Sequence, residues 1–337
     1  MNVRDWFFGP KGYWLGTWIS FLVLTVIVVL LGTLLNLNWW GAVTCDRVMS
    51  YTSEQCEAIT KDGFLRQQAN FWSNFGYGGV GLFIFFCRAS KIGKAVGLAF
   101  VFLAIGSGLF HGTLTTWGQY LDIMGIDVVL LLLVLHAIFC TWELPQDTLP
   151  TISWIGFLTL LGLTMGLFKG IFDSTMVSLG AGGVLFVIGA YGAGRRHEDW
   201  GDGQTRWKHW FWFGLIAAVL FGGAVAFKYF DGKEVTVFAA CQDCNQCNGC
   251  EPVSKAPVGS CKGTCPGAEC CDTRCACCED VFNAVEGNGH CKEIKPRGLC
   301  FGTNPVFQGH ALWHVFSAMG LFFVFQFFWS LVEQEET

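Results

Sequence analysis

Apolar positions in this chain fall in long uninterrupted runs, not at the three-to-four-residue or alternating spacing of a soluble fold. Eight such runs stand at 14–35, 70–87, 95–117, 122–142, 151–168, 175–193, 209–228 and 308–332, separated by short polar stretches and one long one. Each is roughly twenty residues long, enough at about 1.5 Å per residue to cross a hydrocarbon layer about 30 Å thick. In lipid a backbone must satisfy its own hydrogen bonds, so each run predicts a helix. Gly180, Gly182, Gly183, Gly222 and Gly223 lie inside these runs and permit close helix contacts. The first run follows Arg4 and Lys11 and ends in Leu34-Leu35-Asn36-Leu37, with no small-residue cleavage pattern. It reads as a retained helix and not as a secretion signal.

The polar stretches carry an orientation. With the N-terminus in the cytoplasm, the short cytoplasmic segments hold Arg4, Lys11, Arg88, Lys91, Lys94, Arg195, Arg196, Arg206 and Lys208, whereas those opposite hold Arg47, Lys61, Arg66 and Lys169. Cysteine placement agrees, because the same arrangement puts Cys45, Cys56 and the segment 241–300 outside the cytoplasm, where disulfides persist. Both termini are then cytoplasmic.

Composition adds two points. The chain of 337 residues is 53% hydrophobic and only 14% charged, as a multi-pass membrane protein requires, and its net charge of −5 gives no footing for nucleic acid. Of its 17 cysteines, 13 lie between Cys241 and Cys300, beginning Cys241, Cys244, Cys247, Cys250 at a strict three-residue step. So little apolar sequence cannot build a core there, which makes disulfides the expected source of order, although repeated C-x2-C also fits a structural metal site. Pairing cannot be read from spacing. The insert is expected to act as a lid or to bind a protein partner.

Candidate chemistry sits at the run ends. Ser107 and His111 are four residues apart near the outer end of the third run, Asp122 opens the fourth, and His310 and His314 open the eighth. An i,i+4 step puts each pair on one helix face, and the topology brings all five to the same side of the membrane. Three imidazoles leave a coordination position open, the catalytic pattern for zinc, where a bound water is acidified to near neutrality. A nearby carboxylate accepts and returns the proton, and a serine hydroxyl stabilises an oxyanion. Each residue also has a plainer role open to it. Ser107 could bond back to its own helix, Asp122 could cap the fourth helix, and His136 and His209 read as packing or interfacial residues. Asp127 lies deeper in the fourth run, where a carboxyl group is costly, and is a second-rank functional candidate.

Taken together, Asn70-Phe-Trp-Ser-Asn74, Gly106-Ser-Gly-Leu-Phe-His-Gly-Thr-Leu-Thr115, Gln119-Tyr-Leu-Asp122 and Gly309-His-Ala-Leu-Trp-His314 resemble the alkaline ceramidases. That family belongs to the superfamily that also holds progestin/adiponectin-type receptors and GPI-lipid remodelling proteins. The resemblance covers roughly residues 68–230 and 305–332. It implies an all-α integral membrane fold with a seven-helix hydrolase core over 70–230 and 305–333. Residues 1–36 would add an extra transmembrane helix, 37–69 an outer loop and 231–304 the cysteine-rich extracytoplasmic insert. Zinc would be held by His111, His310 and His314, with Asp122 as general acid/base, Ser107 as oxyanion donor and Trp313 lining the substrate pocket. The implied reaction is zinc-dependent cleavage of a lipid amide, ceramide first, to a sphingoid base and a fatty acid. A receptor of the same superfamily with structural zinc, or a lipid-remodelling or scaffold protein, is the alternative. Asn70 stands where eukaryotic members carry a calcium-binding Glu, and no matching acidic segment precedes it, so Ca2+ is not expected.

Overall fold

A computed structural model describes residues 13–34, 64–168, 174–199, 206–230, 233–238, 251–252, 261–262, 291–296 and 309–331. Its body is all-helical: α1 (Tyr13–Leu34), α2 (Gln68–Ser73), α3 (Phe75–Cys87), α4 (Lys91–Thr113), α5 (Thr116–Thr141), α6 (Leu149–Leu167), α7 (Ser174–Asp199), α8 (Arg206–Phe230) and α9 (Gly309–Ser330). Helices therefore occupy the apolar runs of the sequence. Among the described residues, four of them, α4, α5, α6 and α9, are long and apolar enough to cross a membrane, and apolar helical stretches also lie at Thr17–Leu31, Gly180–Gly194 and Phe211–Phe227. The outward faces are apolar too: Leu149 is 75% and Phe186 76% exposed, with Leu160, Val187 and Val219 close behind. A surface this apolar points to a membrane protein, because water penalises large contiguous apolar patches and lipid does not.

Two element boundaries differ from the sequence expectation. The second run is two helices, α2 and α3, joined at Asn74. Ser73 Oγ and Asn74 Nδ2 both donate to the Asn70 carbonyl, at 2.8 and 2.7 Å, while the Asn74 amide turns to the Phe71 carbonyl instead. Side-chain competition for one backbone acceptor bends the helix there. The fourth helix begins at Thr116, not at Asp122, because Thr115 Oγ1 accepts from the Gly118 amide at 3.2 Å and caps it. Asp122 is thus inside α5 and is not its cap.

Bare backbone contacts set how the helices approach one another. A Cβ on Gly81 would lie 2.6 Å from the Gly97 carbonyl oxygen, and one on Gly97 would lie 2.7 Å from that of Gly81, so α3 and α4 touch backbone to backbone. α5 is the most enclosed helix, packed against α4, α6, α7 and α9, with Val129, Leu132 and Leu133 meeting Phe100 and Phe325 in one apolar core. α9 closes the bundle against α2, α3, α5 and α8. At the end carrying Arg88, Lys91 and Lys94, Arg88 donates to Gln326 Oε1 at 2.6 Å and sits over the Trp329 ring, and Lys91 donates to the Asp147 carbonyl at 2.7 Å.

Within the insert, β1 (Lys233–Phe238) pairs antiparallel with β4 (Cys291–Pro296), and β2 (Glu251–Pro252) with β3 (Cys261–Lys262). The longer ladder joins the two ends of the insert. The predicted disulfides fall on cysteine side chains outside the described residues. Among the described residues, Cys87 and Cys140 are reduced thiols.

Candidate metal centre

α4 ends and α5 begins across a very short connection. Leu114 takes a left-handed conformation (φ 51°) and its amide bonds the Phe110 carbonyl, which stops α4. Thr115 then starts α5, its amide held by Thr113 Oγ1 at 3.2 Å. In the resulting helical hairpin Ser107 and Asp122 are equidistant from the Leu114–Thr115 turn, so they lie at the same level. Gly106 makes that level tight: a Cβ there would lie 2.6 Å from the Leu121 carbonyl oxygen and 3.2 Å from the Asp122 amide. His111 is one turn nearer the turn than Ser107, on the same face.

The last carbonyls of α4 have no partner within their own helix. The chain entering α2 supplies one, since the amides of Arg66 and Gln67 donate to the carbonyls of Gly112 and His111, each at 3.0 Å. This contact lays α2 against the end of α4, and α9 packs on α2 as well.

His111, His310 and His314 come together there. One nitrogen of each lies within 4.8 Å of the others, and all three residues are buried. Their ring centroids are 4.6–5.1 Å apart. The Gln67 Oε1 oxygen is 2.6 Å from His111 Nδ1, and Ser73 Oγ is 2.8 Å from His314 Nδ1. Below His314, Tyr77 donates to Ser317, whose own hydroxyl is given to the Trp313 carbonyl at 2.6 Å. Trp313 is half-buried and lies along the His310 ring at 5.3 Å.

The three histidines, from helices nearly 200 residues apart, are brought into one cluster. Ser107 is buried and, among the described residues, makes no bond back to its own helix, unlike Thr25, Thr33 and Thr164. Asp122 is half-buried and within electrostatic reach of Tyr77, whose ring is 6.0 Å from that of His314. Its carboxylate is not one of the clustered ligand atoms. Asp127 is fully buried further along α5 and is also outside the cluster. His136 is a packing residue, stacked on Phe325 at 4.2 Å with Nε2 donating to the Phe325 carbonyl. The side chain of His209 lies outside the described residues.

Gln67, Tyr77 and Ser317 were not singled out from sequence, and Ser73 stood there only within the Asn70–Asn74 segment, with no role given. A signal for Gln67 and Ser73 was present: Arg66, Gln67, Asn70, Ser73 and Asn74 make a polar approach to an apolar run. Three buried imidazoles with no carboxylate among them make a donor set able to hold a metal ion, and their chemistry suits zinc. No protein-family model matches this chain, and no curated protein matches it.

Gly106 yields a test of the hairpin. Gly106→Ala forces the α4 and α5 backbones apart beside Asp122 and is expected to lower stability by about 1–3 kcal/mol. Metal uptake by the three histidines should persist, since the atoms nearest the added methyl belong to Leu121 and Asp122. Thermal unfolding in detergent and metal analysis on one preparation check both.

Proposed function

We propose that this protein is a zinc-dependent membrane hydrolase that cleaves a lipid amide bond, with ceramide as the first substrate to try. The observation that carries the reading is the buried cluster of His111, His310 and His314, beside which the α4–α5 hairpin sets Ser107 and Asp122 level with each other. The sequence resemblance to alkaline ceramidases supports the same choice. In this reading the core is the seven-helix layout of that family, with α2 and α3 forming its first helix and α1 an added one. The histidine end, opposite Arg88, Lys91 and Lys94, faces the lumen or cell exterior.

Zinc held by the three imidazoles supplies Lewis acidity toward the substrate carbonyl and lowers the pKa of water. Asp122 takes the proton from the attacking water and returns it to the amide nitrogen as the carbon–nitrogen bond breaks, leaving a fatty acid and a free amine. Ser107 donates to the carbonyl oxygen as negative charge builds there. Trp313 flanks the cluster as an apolar wall for a chain. The apolar outer faces let a lipid approach from within the bilayer.

The test is zinc content together with hydrolysis of a fluorescent ceramide by the purified full-length protein, before and after chelation. Stoichiometric zinc with turnover, both lost on chelation and restored by Zn2+, supports the hydrolase. Zinc without turnover on any lipid amide or ester moves the reading to a receptor with structural zinc. A protein that takes up no zinc rejects the metal centre.

A further inference from the structure

We propose that Gln67 and Ser73 are positioning residues that lock His111 and His314 in the tautomer protonated at Nδ1, so that both present a bare Nε2 to the metal; this rests on the metal centre proposed above. A neutral imidazole has one N–H and one lone pair, and only the lone pair binds metal. Which nitrogen is which is set by the partner of the other one. For His111 that partner is Gln67 Oε1, 2.6 Å from Nδ1. An amide oxygen only accepts, so the proton is on Nδ1. Asn70 Nδ2 is 3.5 Å from the same Oε1. For His314 the partner is Ser73 Oγ at 2.8 Å from Nδ1. A hydroxyl can do either, but the Ser73 hydrogen is already given to the Asn70 carbonyl at 2.8 Å. Ser73 can then only accept, and His314 too carries its proton on Nδ1.

The two devices lie in one short segment, at the N-cap and the last residue of α2. Gln67 is anchored at a second point, its amide on the carbonyl of the residue whose ring it holds. Ser73 sits at the bend between α2 and α3, where the contest for the Asn70 carbonyl fixes its hydroxyl. α2 therefore orients ligands on two helices, α4 and α9, that are far apart in sequence. The loss of such an outer partner typically weakens metal binding about 10–100-fold.

The experiment measures Zn2+ affinity by chelator competition and the visible spectrum of the Co2+-loaded full-length protein. Gln67→Ala and Ser73→Ala are each expected to weaken Zn2+ about 10–100-fold and to alter the Co2+ bands. Gln67→Glu, which still accepts from Nδ1, should recover most of the loss. Alanine variants that bind Zn2+ within about threefold of wild type, a change smaller than any outer-partner loss, would overturn the proposal. Should the alanine variants fail to fold, nitrogen-15 spectra of histidine-labelled, metal-free wild type decide. Protons on Nδ1 of His111 and His314 support the lock, and a proton on Nε2 of either overturns it. If wild type binds no Zn2+, the metal centre fails, and the same spectra still judge the tautomers.

Discussion

His310→Ala is expected to empty the metal centre while leaving the helical body folded. Four-ligand zinc sites bind with about 10–16 kcal/mol, so one ligand is worth on the order of 3 kcal/mol, roughly a hundred- to thousandfold in affinity. His310 is the best of the three to remove. It is 8% exposed against 1% for His111 and His314, and it stands at the second residue of α9, where alanine suits the helix. His111 is tied to the buried Gln67, which its replacement would strand, and His314 is tied to Ser73, which its replacement would deprive of one partner. Metal analysis of the purified variant, with circular dichroism to follow the helices, is the measurement. A variant that keeps stoichiometric zinc with wild-type affinity would mean that the histidines cluster for packing alone. The hydrolytic reading would fall with it.

Asp122→Asn is expected to keep zinc and lose catalysis. The carboxylate is not among the clustered ligand atoms, so metal content should not change. An amide of the same shape cannot carry the proton from water to the leaving nitrogen, and loss of such a group typically costs about 10²–10⁴ in rate. Asp122 is half-buried within α5, so the substitution should fold normally. Asp127→Asn is the internal comparison, since that carboxyl is fully buried on the same helix but away from the histidines. Its effect on turnover should be the smaller one. Equal turnover in Asp122→Asn and wild type would remove Asp122 from the mechanism, and a greater loss in Asp127→Asn would exchange their roles.

Composition and hydropathy alone placed the helices, because a membrane asks only that a segment be long, apolar and self-bonded, and those demands are local. The i,i+4 pairs Ser107/His111 and His310/His314 were legible for the same reason: helical spacing puts them on one face without reference to anything else. Charge bias and cysteine placement then suggested a common side for all five residues. Which residues serve the histidines could not be read this way. Gln67 meets His111 because the chain entering α2 caps the open carbonyls of α4, and Ser73 meets His314 because α9 packs against α2. The bend at Asn74 and the start of α5 at Thr116 were likewise missed, since each depends on which of several side chains wins a backbone partner. Sequence periodicity reports the solvent that each face prefers. Partners drawn from helices far apart along the chain are chosen only when those helices pack and each buried polar atom must find one particular neighbour.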